Sequence, residues 1–462
     1  MNPRDLRTAT DARALLDAAV RSASVTRSVD VDPGAIGRLP QVLARLGQRG
    51  PCRIVADSNT MAAAGQRTLA TLRAANIATA DPIVLDEVPR VKPRAETARD
   101  VAARLRAEAA LPIAVGAGVI NDMTKYAAEV AGMPYVSVVT AASMDGYAAS
   151  GASMLDGGFK RTLACAPPIG VIADLDVVAD APARMAAWGY GDLAGKLVAG
   201  ADWLLADAAG EDPLSREPFE LVQDNVKQWL SDPRGIAAHD AAALGGLMEG
   251  LLISGFAMQM HGNSRPASGS DHQLAHVWEM DHVAVDGEAA AHGACVGVGA
   301  VAMTALYEWL LAQDVPRALQ VIDARVDRAR VEAEIAASFA DQALVASARA
   351  EMTAKLDRAP QRVARLRALA ACWDDARQSI RATLVPAATL AQGLRDCGAP
   401  SHPGDLGIPM PKLTRDYRRA RLIRRRYTIL DCLEDLGWLD RAIGALFAPD
   451  GYWGLRPVST GT

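Results

Sequence analysis

An α/β N-terminal half built on a parallel sheet, followed by an all-helical C-terminal half, is the fold class that three observations predict. Short apolar runs alternate with Ala-rich helical segments from about 23 to 180, strand-like runs cease after Pro182, and 3.6-residue periodicity takes over beyond it. At 462 residues the chain is too long for one simple core, so two domains are expected, 1–182 and 183–462.

In chain order, residues 1–22 read as an amphipathic helix whose mixed charge does not match a secretory leader. The strand runs that follow are Arg53–Ala56, Pro82–Leu85, Leu111–Val115, Tyr135–Val139 and Ile169–Ala173. Each is nearly all apolar or small, the pattern of strands covered on both faces of a parallel sheet. The intervening stretches 60–76 and 95–109 are long enough for helical crossovers, which makes the half doubly wound. Beyond Pro182 helices are expected over 183–210, 217–230, 237–260, 269–281, 293–313, 316–356, 359–376 and 379–396. Gly/Pro/Ser stretches interrupt them at 262–269 and 398–411. Residues 314–375 have the Arg/Glu/Asp/Ala look of solvated helices. The Arg-dense stretch 415–426 reads either as an anion-binding patch or as a solvated helix face backed by Leu422, Ile423 and Ile429.

Composition excludes several classes of function. A net charge of −5 gives no bulk attraction to nucleic acid or to an anionic membrane. The six cysteines are scattered without a CxxC pair, against a Cys-rich zinc module or a disulfide scaffold, and a reducing cytoplasm is expected. No uninterrupted apolar run reaches about 18 residues, so no membrane span is expected.

The first chemical signal is a glycine turn between strand and helix. Leu111–Val115 runs into Gly116-Ala117-Gly118-Val119-Ile120-Asn121-Asp122, where backbone N–H groups and a helix N-terminus can meet a phosphate. The third glycine of the dinucleotide fingerprint is missing, and plain tight turns also carry GxG. Small residues after the next strand, Thr140-Ala141-Ala142-Ser143, would line the ligand crevice at the carboxyl ends of the strands. Asp57 ends an earlier strand, where its carboxylate is placed either to bond a ribose hydroxyl or to cap the next helix.

The second signal is a histidine cluster. Of seven histidines, five lie between 261 and 292: His261, His272, His276, His282 and His292. His272 and His276 share a helix face if Ser268 or Ser270 caps that helix, and His292 opens another helix that could meet it. A catalytic metal needs about one more ligand and an open position, and Asp192 in Gly189–Lys196 is the candidate carboxylate.

In that order, GAGVINDMTKY, TAASMDGYAAS, GYGDLAGK, RPASGSDHQLAH and HGACVGVG resemble the motifs of glycerol-1-phosphate dehydrogenases, bacterial branch. That family is grouped with glycerol dehydrogenase, iron-containing alcohol dehydrogenases and dehydroquinate synthase. The likeness covers roughly 25–310, with an echo in RRRYTILDCLEDLGWL at 424–439. It implies an N-terminal dinucleotide-binding domain and a C-terminal metal- and substrate-binding domain, with the cofactor in the cleft. Metal ligands would be Asp192, His272 and His292. Dinucleotide contacts would come from Asp57, Gly116, Ala117, Gly118, Val119, Ile120, Thr140, Ala141, Ala142 and Ser143. Substrate contacts would come from Asp145, Asp192 and His276, of which Asp192 and His276 would be catalytic. One departure stands out: a cofactor-contacting serine often found four residues after the Asp145 position is Ala149 here, with Ser150 beside it.

The implied reaction is hydride transfer between NAD, or NADP, and a three-carbon substrate, interconverting dihydroxyacetone phosphate and sn-glycerol 1-phosphate in phospholipid metabolism. One divalent metal is implied, zinc first, with nickel or iron suited by the same ligands. His276 would relay the proton, its plainer role being to orient a neighbour. For the phosphate, Lys160, Lys196 and Arg265 lie near the motifs, and Arg265 with Ser268 comes first. Arg265 pairing with a carboxylate to brace the loop is the plainer reading. The rivals are a polyol dehydrogenase acting on glycerol, a cyclising lyase of the dehydroquinate synthase kind, and a non-catalytic sensor of NAD and metal. A cytoplasmic homo-oligomer, a dimer first, is the expected setting.

Overall fold

The computed structural model describes residues 9–88, 90–157, 159–318 and 327–456. The chain divides into two compact units, one comprising the residues up to Leu193 with Glu220–Ser264, the other Ala194–Phe219 with Arg265 onward.

The first unit is organised by a six-stranded sheet of β1 (Ser28–Asp32), β2 (Cys52–Asp57), β3 (Ile83–Leu85), β4 (Leu111–Gly116), β5 (Val136–Val139) and β8 (Gly170–Asp174). The spatial order is β1-β8-β5-β4-β2-β3 and every pairing is parallel, as expected. Alternation along β2 shows why the runs are apolar throughout. Ile54 and Ala56 join one core with Ile36, Leu39 and Leu72, whereas Val55 faces another with Val101, Leu105 and Met123. Both sheet faces are thus covered by helices. The sequence patterns did not mark the hairpin of β6 (Ala152–Asp156) and β7 (Phe159–Leu163), which carries polar residues on both strands. The helix Ala9–Ser22 matches the described part of the one expected over 1–22, and residues 1–8 lie outside the described residues.

The helix Ala241–His261 also belongs to this unit. Gln259 pins it there: its amide Nε2 donates to Thr26 Oγ1 (2.8 Å) and to the Ala148 carbonyl (2.6 Å).

The second unit is helical apart from a two-residue pair, β9 (Ala284–Val285) and β10 (Glu288–Ala289). Its main helices are Ser270–Met280, His292–Leu311, Arg328–Ser338, Gln342–Leu356, Arg362–Ala371, Trp373–Thr383, Ala387–Asp396, Met410–Leu422, Ile429–Asp435 and Leu439–Phe447. The single segment expected over 379–396 is broken before Ala387, because Pro386 holds an extended backbone and cannot donate into a continuing helix. The segment expected over 316–356 splits near Phe339, where Asp341 caps the next helix; residues 319–326 lie outside the described residues. Buried aromatics tie the helices together through their polar tips. Trp278 donates to Asp416 (3.0 Å), Trp453 to the Tyr417 hydroxyl (3.0 Å), and that hydroxyl to the Ala302 carbonyl (3.1 Å).

Ala241–His261 and His292–Leu311 are long and apolar enough to cross a membrane, yet 72% and 89% of their apolar stretches are buried inside the protein. Apolar on every side is what a fully surrounded core helix requires. All six cysteines are free.

Candidate metal and cofactor site

The helix Ala183–Ala208 carries the carboxylate. Asp192 is fully buried, and its Oδ2 accepts the backbone N–H of Asp145 (2.9 Å). The two residues expected beside each other at the substrate are therefore joined by a hydrogen bond. Further along the same helix, Gly195 lets it approach the next element closely: a Cβ there would stand 2.3 Å from Asp271 Oδ2 and 2.6 Å from Val296 Cγ1.

The helix Ser270–Met280 presents His272 and His276, and His292 opens the helix His292–Leu311. The three imidazoles form one cluster, with ring centroids 5.3 Å apart for His272 and His292, 5.7 Å for His276 and His292, and 6.2 Å for His272 and His276. Each ring is fixed through Nδ1 by a carboxylate. His272 is held by Asp271 (2.6 Å), while Glu279 takes His276 on Oε2 (2.9 Å) and His292 on Oε1 (2.8 Å). An imidazole that donates Nδ1–H to a carboxylate keeps its Nε2 lone pair for a cation. The ligand atoms of Asp192, His272 and His292 lie within 4.8 Å of one another, as do those of His276, Glu279 and His292. In the second group Glu279 is occupied by two N–H donors, so the first set is the better match to a metal's needs. Two imidazoles whose outer nitrogens are already held, with one buried carboxylate, fit a divalent cation that keeps an open position. His261 and His282 belong to neither group; His282 sits instead at φ +53°, in the turn before β9.

Burial pushes the His276 imidazole down to about 4, and the Arg424 charge and His292 add to that push against the raising effect of Glu279. His276 is therefore neutral near pH 7, with one ring nitrogen free to accept a proton and the other engaged by Glu279.

Capping of the His272 helix departs from expectation. Its N-cap is Gly269, and neither Ser268 nor Ser270 caps it; the Ser270 hydroxyl has no hydrogen-bond partner among the described residues. Carboxylates take the role because they are stronger acceptors. Asp202 Oδ2 accepts the Ser270 N–H (2.6 Å) and Asp271 Oδ1 the Gly269 N–H (3.1 Å). The other oxygen of Asp202 accepts the Tyr307 hydroxyl (2.7 Å) and the Ile429 N–H (2.8 Å). One buried carboxylate thus joins four helices, and burial raises its pKa. Sequence reasoning missed Asp202, Asp271 and Glu279. The signals were the carboxylate beside His272 and the His-x-x-Glu spacing at 276–279, which sets both side chains on one helix face.

Arg265 is committed to packing. It is 1% exposed, pairs with Asp212 through Nε (3.1 Å), and donates to the carbonyls of Tyr427 (3.2 Å) and Asp202 (3.0 Å). Lys196 is fully buried, and the Lys160 side chain lies outside the described residues.

The residues expected to contact a cofactor lie at the carboxyl ends of adjacent strands. Between β4 and the helix Gly118–Ala131, Ala117 is the N-cap, with no side-chain cap and no acidic residue in the first turn. The N-cap side chain therefore accepts none of the first N–H groups of that helix. Gly116 is required by close approach, since a Cβ would stand 2.5 Å from the Cβ of Ile120. Thr140 follows β5 and donates its N–H to the Gly116 carbonyl (3.3 Å). The Tyr147 hydroxyl donates to the Ala141 carbonyl (2.6 Å) and lies 2.9 Å from the Ser143 hydroxyl. Lys125, buried beneath this loop, donates to the carbonyls of Gly146, Ala149 and Gly151 at 2.9, 2.9 and 3.0 Å. Ala149 is buried, and its neighbour Ser150 is exposed. Asp57 caps the turn Ser58–Thr60, its Oδ1 accepting the Thr60 N–H (2.7 Å).

Residues 30–182 match the family described as iron-containing alcohol dehydrogenase. The chain is 35% identical over 258 residues to glycerol-1-phosphate dehydrogenase [NAD(P)+] of Bacillus velezensis, covering 56% of this chain and 66% of that protein. It is 34% identical over 275 residues to the protein of the same name from Halalkalibacterium halodurans, covering 59% and 69%. The match thus spans about two thirds of these relatives' length. Among solved structures, a probable glycerol dehydrogenase from Sinorhizobium meliloti superposes with a TM-score of 0.56 at 16% identity, covering 91% of this chain and 98% of that one. At that identity the likeness speaks for the fold.

Proposed function

The chain belongs to the glycerol-1-phosphate dehydrogenase family, and we propose that it is an NAD(P)-linked oxidoreductase that interconverts dihydroxyacetone phosphate and sn-glycerol 1-phosphate. The observation that carries this reading is the histidine cluster, with Nδ1 of His272 and of His292 each held by a carboxylate and with Asp192 within reach of both.

Asp192, His272 and His292 would hold one divalent metal, zinc first, since a carboxylate and two imidazoles suit it, although nickel and ferrous iron bind the same donors. The chemistry such a cation brings is Lewis-acid polarisation of the substrate carbonyl. The chain's own residues do the rest. Asp145 fixes Asp192 through its backbone N–H, and its side chain would contact the substrate. Glu279 keeps His276 and His292 in register, so His276 is oriented to pass a proton to or from the substrate oxygen. The turn Gly116–Ile120 offers backbone donors to the dinucleotide pyrophosphate, Thr140–Ser143 line the nicotinamide side, and Asp57 faces the ribose. Asp57 repels a 2′-phosphate, which favours NAD over NADP. A homodimer in the cytoplasm is the proposed setting.

The test is NADH oxidation driven by dihydroxyacetone phosphate, with and without chelator. Turnover that stops on chelation and returns with metal supports the reading. Full activity of a metal-free preparation would show the histidine cluster to be structural, and no turnover of this substrate under any condition would remove the assigned reaction.

A further inference from the structure

The loop that follows β5 holds a short hydrogen-bond chain whose proton positions are fixed by its geometry. Tyr147 is fully buried, and burial pushes its phenol well above the usual range, so the hydroxyl keeps its single proton near pH 7. Its oxygen stands 2.6 Å from the Ala141 carbonyl oxygen. Two oxygens that close need a proton between them, a carbonyl has none to give, and the Tyr147 proton is therefore committed to Ala141. The same phenol oxygen lies 2.9 Å from Ser143 Oγ. That contact also needs a proton, and only the serine can supply it. Ser143 Oγ is left with lone pairs and nothing to donate. The backbone holds the arrangement, since the Ser143 N–H donates to the same Ala141 carbonyl (3.1 Å). Unlike Tyr147, Ser143 is partly exposed, and it follows the carboxyl end of β5. Its neighbour Met144 packs against the glycine turn after β4: a Cβ on Gly118 would stand 3.0 Å from Met144 Sδ. A ligand reaching from that turn past the end of β5 would meet a serine able to accept a hydrogen bond but not to give one.

We propose that Ser143 accepts an N–H of the nicotinamide carboxamide, and that Tyr147 is the positioning residue that makes it an acceptor. This rests on the cofactor placement proposed above and names the group that Ser143 recognises. Among the polar groups at the nicotinamide end, the carboxamide NH2 only donates, whereas a ribose hydroxyl both donates and accepts. An acceptor-only serine selects the first and would not discriminate within the second. The oxidised and reduced rings carry the same carboxamide, so the contact serves both directions of the reaction.

Dissociation constants of NAD+ and of acetylpyridine adenine dinucleotide are measured by titration calorimetry on the full chain, as wild type, Y147F and S143A. The analogue carries a methyl of similar size in place of the NH2, so it loses the donor and keeps the carbonyl. The wild type is expected to bind NAD+ roughly 3- to 10-fold more tightly than the analogue, the effect of one hydrogen bond. In S143A the affinity for NAD+ should fall to that of the analogue. In Y147F the serine proton loses its acceptor and can turn to the acetyl oxygen, so the affinity for the analogue should rise toward that for NAD+. A general loosening of the loop would weaken both ligands alike and leave their ratio in place. A wild type that binds both equally, or a ratio unchanged in either variant, would overturn the proposal. If Y147F does not fold, S143A, altered at a partly exposed side chain, decides the contact alone. A wild type that does not bind NAD+ removes the cofactor placement and this proposal with it, whereas NAD+ binding with an unchanged ratio removes the role of Ser143 only.

Discussion

Glu279 accepts from two imidazoles at once, one on each oxygen, which makes it the residue on which the histidine cluster depends most. Glu279→Ala is expected to leave His292 free to rotate and to lower metal affinity roughly 10- to 100-fold, the usual effect of removing an outer carboxylate. Competition with a fluorescent chelator measures this, and unchanged affinity would mean that the ring is held by packing alone. His292→Ala removes a ligand outright and should abolish turnover while the far-UV circular dichroism stays native. Asp57 is a different case, because it caps a turn and also stands at the end of β2. Part of its charge is used in the cap, so the bias against a 2′-phosphate should be modest. Asp57→Asn preserves the capping oxygen and should raise the specificity constant for NADPH relative to NADH; a clear NADPH preference in the wild type would overturn the ribose role.

Helix packing around the cluster depends on small residues and one carboxylate. Gly195 lets the Asp192 helix lie against Asp271, whose other task is to hold His272. Gly195→Ala puts a methyl where the Asp271 carboxylate stands, so the Asp271–His272 bond must break or the helices must separate. Weaker metal binding is expected, and isothermal titration with Zn²⁺ would reveal it; wild-type affinity would show that Asp271 can yield. Asp202 ties four helices through Ser270, Tyr307 and Ile429. Asp202→Ala leaves three buried donors without acceptors and should destabilise the fold by about 3–5 kcal/mol, as for a broken buried charged network. Urea denaturation with the metal removed measures it apart from the ligand contribution, and a change below about 1 kcal/mol would refute the assigned role.

For the molecule as a whole, chelation should stop turnover without unfolding, because each unit has a core of its own. Ile54, Ile113 and Val138 pack within one, Trp203, Trp278 and Tyr307 within the other. Much of this was legible in the sequence. Apolar runs of four to six residues have to be buried on both faces, so the parallel sheet followed from them. Histidines four apart have to share a helix face, so the cluster followed from spacing. The hairpin at 152–163 was not legible, since its polar strands lack the apolar pattern. The membership of Ala241–His261 in the sheet-containing unit was equally hidden, because a helix apolar on every side records that it is buried, not against what. The same limit governs the charged residues. A sequence shows carboxylates and guanidiniums but not their partners, and Arg265, placed next to the metal motif, was the natural choice for phosphate. Sequence alone determined the fold class, singled out the candidate metal donors and located the glycine turn after β4, because periodicity and spacing are local properties of the chain. Only the tertiary structure decided that Asp202 caps the His272 helix, that Glu279 serves two rings, and that Arg265 is already spent on Asp212, because each is a pairing between residues far apart in sequence.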